Sequence, residues 1–175
     1  MSVVLVGLPG SGKSTVGRHV ARLMNLQFVD ADTEIERQLG TSIRVHFEQY
    51  GEQSFRDHEQ QVIAELCARP DLVVATGGGA VLREANRAQI KQSGHHVVYL
   101  RATPDDLARR LRHDTQRPLL QGVDPLKRLR DLFAERDPFY REVADFGIDT
   151  GRTSVHTLAN LVAMQLDMLP AKPQP

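Results

Sequence analysis

Residues 7–15, Gly7-Leu8-Pro9-Gly10-Ser11-Gly12-Lys13-Ser14-Thr15, fit the pattern G-x-x-x-x-G-K-[ST] at every fixed position. These types suit one chemistry. Glycines bare the backbone, so that successive N–H groups converge on phosphate oxygens. Lys13 adds a point charge at the β- and γ-phosphates, and the Ser14 hydroxyl is a ligand of the kind Mg2+ takes. A helix opening near Lys13 turns its positive end on the same anion. Gly10, Ser11, Gly12, Lys13, Ser14 and Thr15 are therefore the candidate nucleotide-phosphate contacts. The plain alternative is a glycine-rich turn that contains Lys-Ser by chance. It does not account for the apolar run 3–6 before the loop or the helical pattern after it.

Phosphoryl transfer needs further groups: a carboxylate near the metal, one to orient or deprotonate an acceptor hydroxyl, and cations for the γ-phosphate charge. Asp30 and Asp32 follow the second apolar run and supply two acids at a strand end, where α/β proteins gather their ligands. Helix capping competes for them, because Thr33 and Glu36 form a capping-box pattern. No acid follows the third apolar run, which makes Asp30 the metal candidate. That run ends instead in Thr76-Gly77-Gly78-Gly79. Such a stretch costs backbone entropy unless a ligand must come close, with a simple turn as the other explanation. Arg56 has Glu52 and Glu59 at helical spacing, and Arg141 adjoins Glu142, so surface ion pairs explain either residue taken alone. Residues 109–117 hold Arg109, Arg110, Arg112, His113 and Arg117. A basic loop there is suited to close over a nucleotide, and a solvated helix face is the competing reading.

These residues need a scaffold, and the apolar pattern provides one. Strands are expected at 3–6, 27–30, 72–76, 97–100 and 145–148, three of them near-continuous Val/Leu runs suited to a doubly covered parallel sheet. Helices are expected at 13–24, 33–39, 52–68, 83–93, 104–112, 125–135 and 154–166. The alternation predicts right-handed βαβ units in a single α/β domain over residues 1–169. Residues 109–124 form a candidate lid, and a tail at 170–175 is expected to be disordered. The 175 residues, 41% hydrophobic and 25% charged, suffice for one core. Twenty-two basic residues balance twenty-two acidic ones, which argues against nucleic acid as a partner. Cys67 is the single cysteine, so neither a disulfide framework nor a cysteine zinc cluster is available. No run reaches membrane-spanning length, and a cytoplasmic protein is expected.

Taken together the pieces resemble the shikimate kinases. The resemblance runs from Val3 to about Leu166 in one order: the phosphate loop, Phe-Val-Asp-Ala-Asp at 28–32, Phe-Glu-Gln-Tyr-Gly-Glu-Gln-Ser-Phe-Arg at 47–56, Thr-Gly-Gly-Gly at 76–79, Arg-Pro-Leu-Leu at 117–120 and Arg-Asp-Pro-Phe-Tyr-Arg at 136–141. It implies a three-layer α/β/α fold like that of the nucleoside monophosphate kinases, with a five-stranded parallel sheet and a mobile lid. It also implies Mg·ATP-dependent phosphorylation of the 3-hydroxyl of shikimate, and a monomer is expected. Asp32 matches the residue that binds substrate hydroxyls and is the candidate base. Arg56 and Arg141 match the carboxylate-holding pair, and Gly77, Gly78 and Gly79 match the pocket lining. Ser14 and Asp30 match the Mg2+ positions, and Arg117 matches the lid arginine on the ATP phosphates. On the adenine side Arg110 is the stacking candidate, with Arg109 and Arg112 as competitors, and Arg152 a further contact. The alternatives are a related kinase of gluconate or a nucleoside monophosphate, and an ATP-binding regulator without turnover.

Overall fold

The structure, a computed structural model, describes residues 1–111 and 124–173, without the side chain of Leu111. Arg112, Arg117 and most of the expected lid lie outside the described residues. Five strands, β1 (Val3–Val6), β2 (Gln27–Asp30), β3 (Leu72–Ala75), β4 (His96–Arg101) and β5 (Phe146–Asp149), form one sheet in the order β2-β3-β1-β4-β5. Every pairing is parallel, as the Val/Leu runs require.

Helices cover both faces. On one, α1 (Lys13–Met24) and α7 (Val155–Met168) bury Val16, Val20, Leu158 and Val162 against Val3, Leu5, Val98 and Leu100. On the other, α3 (Ile43–Cys67), α4 (Glu84–Gln92), α5 (Pro104–Leu111) and α6 (Pro125–Val143) pack on Val4, Val6, Val97 and Tyr99. The short α2 (Ala31–Leu39) closes a third cluster with Ile35, Phe55, Leu66 and Val74. The expected three-layer fold is the observed one. Among the described residues no helix is long and apolar enough to cross a membrane.

Two helices depart from expectation. The helix expected from Glu52 begins at Ile43, capped by Ser42, whose Oγ accepts from Val45 N at 3.2 Å. It breaks at Gly51, whose φ of 83° and ψ of 176° no helix contains. Glycine relieves the strain of that left-handed position, and a short helical piece meets a longer one there. The helix expected to stop at Glu135 runs through Pro138 to Val143. The missing N–H costs about 3 kcal/mol in a helix interior. Burial of Leu129, Leu132, Tyr140 and Val143 along one stripe outweighs it. In the tail, Lys172 Nζ donates to Asp145 Oδ2 (2.6 Å) and to the His95 carbonyl (3.0 Å), which holds it against the sheet.

Candidate active site

The phosphate loop joins the end of β1 to α1. Gly12 caps α1 in a left-handed conformation, φ 94°, and provides no side chain to the first-turn N–H groups, which leaves them for a ligand. Lys13 lies back across the loop, donating to the carbonyls of Gly7 (2.7 Å) and Leu8 (2.9 Å), with Ser11 Oγ at 3.5 Å. Among the adenine-side candidates the geometry favours one. Arg110 donates to Gly151 O (2.7 Å) and Thr150 Oγ1 (3.1 Å) and reaches Gly10 O at 3.5 Å, so it joins the loop after β5 to the phosphate loop. Arg109 turns away to pair with Asp106 at 2.8 Å. Arg152 is exposed in the same turn as Thr150 and Gly151.

Asp30 satisfies both readings of its position at once. Its Oδ1 caps α2 by accepting from Thr33 N (3.1 Å), and its Oδ2 accepts from the Ser14 hydroxyl. The Thr33/Glu36 capping box does not form, because α2 starts at Ala31 with Asp30 as its cap, and Glu36 accepts from Ile43 N at 2.9 Å instead. The Ser14–Asp30 contact sets two hard oxygen donors side by side at the loop, a set that fits Mg2+, which prefers few protein ligands and completes its shell with phosphate and water. Among the described residues no cluster of three His, Cys, Asp or Glu side chains could hold a metal by itself.

Asp32, one residue into α2, has no such second task. Burial pushes its carboxyl up to about 6, the negative charges of Asp30 and Glu59 push the same way, and Lys13 opposes them. A carboxyl near 6 beside a phosphate loop is suited to accept a proton, or the hydrogen of a hydroxyl, at neutral pH.

The remaining residues surround Glu59, which is 2% exposed. Arg56 donates to Glu59 Oε1 at 2.8 Å and stands 3.5 Å from Glu52. Helical spacing does produce an ion pair, but a buried one. Burial raises the Glu59 pKa, and the charges of Arg56, then Arg136, oppose the rise. Arg136, which sequence reasoning missed, is 7% exposed. Arg136 keeps a buried Nε without a hydrogen-bond partner, and the guanidinium groups of Arg56 and Arg136 are of the kind that hold an anion with paired donors.

The structure does not bring Arg141 to this cluster. Its side chain is 61% exposed and pairs with Asp137 at 2.9 Å. It lines a separate cavity of about 400 Å3 with Tyr99, Arg101, Phe146 and Asp149. Five residues on a helix turn the side chain about 140° from Arg136, so one motif presents its two arginines to different surroundings. The signal that separates them was in the sequence. Leu129, Leu132, Tyr140 and Val143 mark the buried stripe of α6, and Arg136 lies on it.

The glycine triplet has a more specific reason than an approaching ligand. None of the three has positive φ. A Cβ on Gly77 would lie 2.7 Å from Asp32 Oδ1, on Gly78 2.5 Å from Pro9 Cδ, and on Gly79 2.4 Å from Arg56 Nη1. Each bare position seats one group of the site.

The model of the shikimate kinase family matches residues 9–167. The chain belongs to the shikimate kinase family. It is accordingly an ATP-dependent kinase. A shikimate kinase of Ralstonia nicotianae is 56% identical over 167 residues, 95% of this chain and 87% of the relative. One of Burkholderia thailandensis is 54% identical over 99% of this chain and 95% of its own. The structure of shikimate kinase from Acinetobacter baumannii in complex with shikimate superposes with a TM-score of 0.89 at 45% identity, covering 95% of this chain and 92% of that one. The Aquifex aeolicus shikimate kinase gives 0.83 at 30% identity, with 95% and 96% covered.

Within this family site the glycines predict separable defects. In Gly79→Ala the Arg56 guanidinium must leave its buried contact with Glu59, so the melting temperature falls. Acceptor KM rises about tenfold as Arg56 leaves its place. Gly78→Ala meets the Pro9 ring and backbone, with Pro9 N at 3.1 Å, and lowers the melting temperature with the Arg56–Glu59 pair left in place, so acceptor KM rises less. Kinetics and thermal unfolding of both variants check the contrast.

Proposed function

We propose that the protein transfers the γ-phosphoryl group of Mg·ATP to the 3-hydroxyl of shikimate. The observation that carries this reading is the pairing of Arg56 and Arg136 around Glu59 beside Asp32 and the glycine loop. Guanidinium forks suit the acceptor's carboxylate, an anionic side chain suits its hydroxyls, and both stand next to a phosphate loop. The carboxylate-holding pair in this proposal is Arg56 with Arg136, in place of Arg56 with Arg141.

Gly10, Ser11, Gly12, Lys13, Ser14 and Thr15 hold the nucleotide phosphates. Arg110 and Arg152 border the adenine, and Arg117 acts on the transferring group by its match to the family motif. Asp32 orients the 3-hydroxyl and takes its proton as the oxygen–phosphorus bond forms, with ADP leaving. Ser14 and Asp30 would hold Mg2+, which supplies charge neutralisation between the β- and γ-phosphates. The protein works as a cytoplasmic monomer on small molecules, and its balanced charge supports partners other than nucleic acid.

Release of ADP from Mg·ATP, with shikimate, with gluconate and with neither, tests the reading. Stimulation by shikimate alone is the expected result. Stimulation by gluconate or a nucleoside monophosphate would replace the acceptor. ATP binding with no stimulated turnover would favour a regulator.

A further inference from the structure

One hydrogen bond ties the helix that carries Arg136 to the loop that carries the glycine triplet, and the reaction proposed above makes no use of it. The Tyr140 hydroxyl, on a side chain 1% exposed, donates to Gly78 O at 2.5 Å. Arg136 stands one turn earlier on the same face of α6, and its charge opposes the rise in the hydroxyl's pKa that burial causes. Between the two residues sits Pro138, which cannot donate to Ala134 O, so the helix lacks a rung where it presents the arginine. The other end of the bond is equally constrained. Gly78 abuts the Pro9 ring of the phosphate loop so closely that no Cβ fits. The phenol ring packs on Tyr99, with centroids 5.0 Å apart, which fixes its direction.

We propose that Tyr140 is a positioning residue for the acceptor site: its hydroxyl sets the span between the Arg136 guanidinium and the backbone of Gly77–Gly79, while taking no part in phosphoryl transfer. The inference rests on the assignment of this pocket to the acceptor acid. A phenol meets the requirement because its hydroxyl donates to a carbonyl and still has lone pairs to offer a guanidinium, at the end of a rigid ring. Phenylalanine keeps the ring and the packing. It leaves half-buried Gly78 O without that donor and removes the oxygen from beside Arg136.

The test compares Tyr140→Phe with Tyr99→Phe, whose lost hydroxyl bonds only Asp137, at 2.7 Å, and leaves that aspartate to Arg141. Wild-type protein is assayed first for shikimate-dependent ADP release, then both variants for KM, kcat and melting temperature. Tyr140→Phe is expected to raise the KM for shikimate about tenfold, with kcat and the KM for ATP within about twofold of wild type. Tyr99→Phe is expected to leave the KM for shikimate unchanged even where it lowers the melting temperature. Arg136→Lys, alone and combined with Tyr140→Phe, closes a double-mutant cycle, and losses smaller than additive are expected if the hydroxyl acts through Arg136. A Tyr140→Phe variant that melts lower but keeps its KM for shikimate would overturn the proposal, leaving a structural bond and an intact functional reading. Full additivity in the cycle would overturn it too. Wild-type protein indifferent to shikimate would remove the functional reading and this inference with it.

Discussion

Replacing Arg136 with alanine is expected to raise the KM for shikimate about a hundredfold to a thousandfold, the loss typical of truncating one partner of a buried charged contact. The KM for ATP should hardly move, because Arg136 stands with Glu59 and Tyr140 on the acceptor side. Arg141→Ala should change the KM for shikimate by less than about twofold, as an exposed pair with Asp137 contributes little. The contrast follows from the phase of α6, which turns one arginine of the 136–141 motif inward and the other toward a separate cavity. Lysine should not rescue Arg136, since a point charge on a flexible stem cannot reproduce a planar fork against a carboxylate. Steady-state kinetics with each substrate varied in turn would decide the matter. A large effect at Arg141 with none at Arg136 would mean that the acceptor lies on the opposite side of α6.

Much of this molecule was legible before any coordinates. The Val/Leu runs announced β1, β3 and β4, because a parallel sheet covered on both faces leaves no polar alternation to confuse with a helix. The phosphate loop was readable because its chemistry constrains residue type at fixed spacing. The losses have specific causes. Pro138 signals a helix end by its own stereochemistry, and only the packing of Tyr140 and Val143 overrides it. Ile43–Tyr50 is too short to show a helical period convincingly, and Gly51 hides its continuity with the longer helix behind it. Arg56 looked like a surface pair because spacing reports distance along a helix and not exposure; the buried Glu59 is what changes its meaning. The glycine triplet reads as bare backbone in the sequence, but the groups that need the room, Asp32, Pro9 and Arg56, come from three distant segments. Helical phase would have distinguished Arg136 from Arg141 had the buried stripe been carried past the proline.

Asp32→Asn should produce opposite changes in activity and stability, and this opposition is the strongest test of its role. The carboxyl is held at about 6 against an ordinary value of 3.8, chiefly by burial. The folded protein therefore binds this proton more tightly than the unfolded chain does. Stability contributed by that proton is present below pH 4, falls as pH rises toward 6, and is gone above it, a difference of at most about 3 kcal/mol. Asparagine carries no charge and escapes this cost, so the variant should melt at a higher temperature than wild type at pH 8 and match it more nearly at pH 4. Its kcat should fall about a hundredfold or more, the usual contribution of a positioned proton acceptor. The KM for ATP should stay near wild type, because the phosphate contacts belong to the loop. In the wild-type protein kcat/KM for shikimate should rise with pH through about 6 as Asp32 loses its proton, and that limb should vanish from the variant. A variant that keeps both its turnover and the acid limb would assign the titration to Glu59, the other buried carboxyl of the cluster, and remove Asp32 from the chemistry. A variant that is more stable and nearly inactive would show that the fold tolerates an uncomfortable carboxylate at this position because the reaction requires one there.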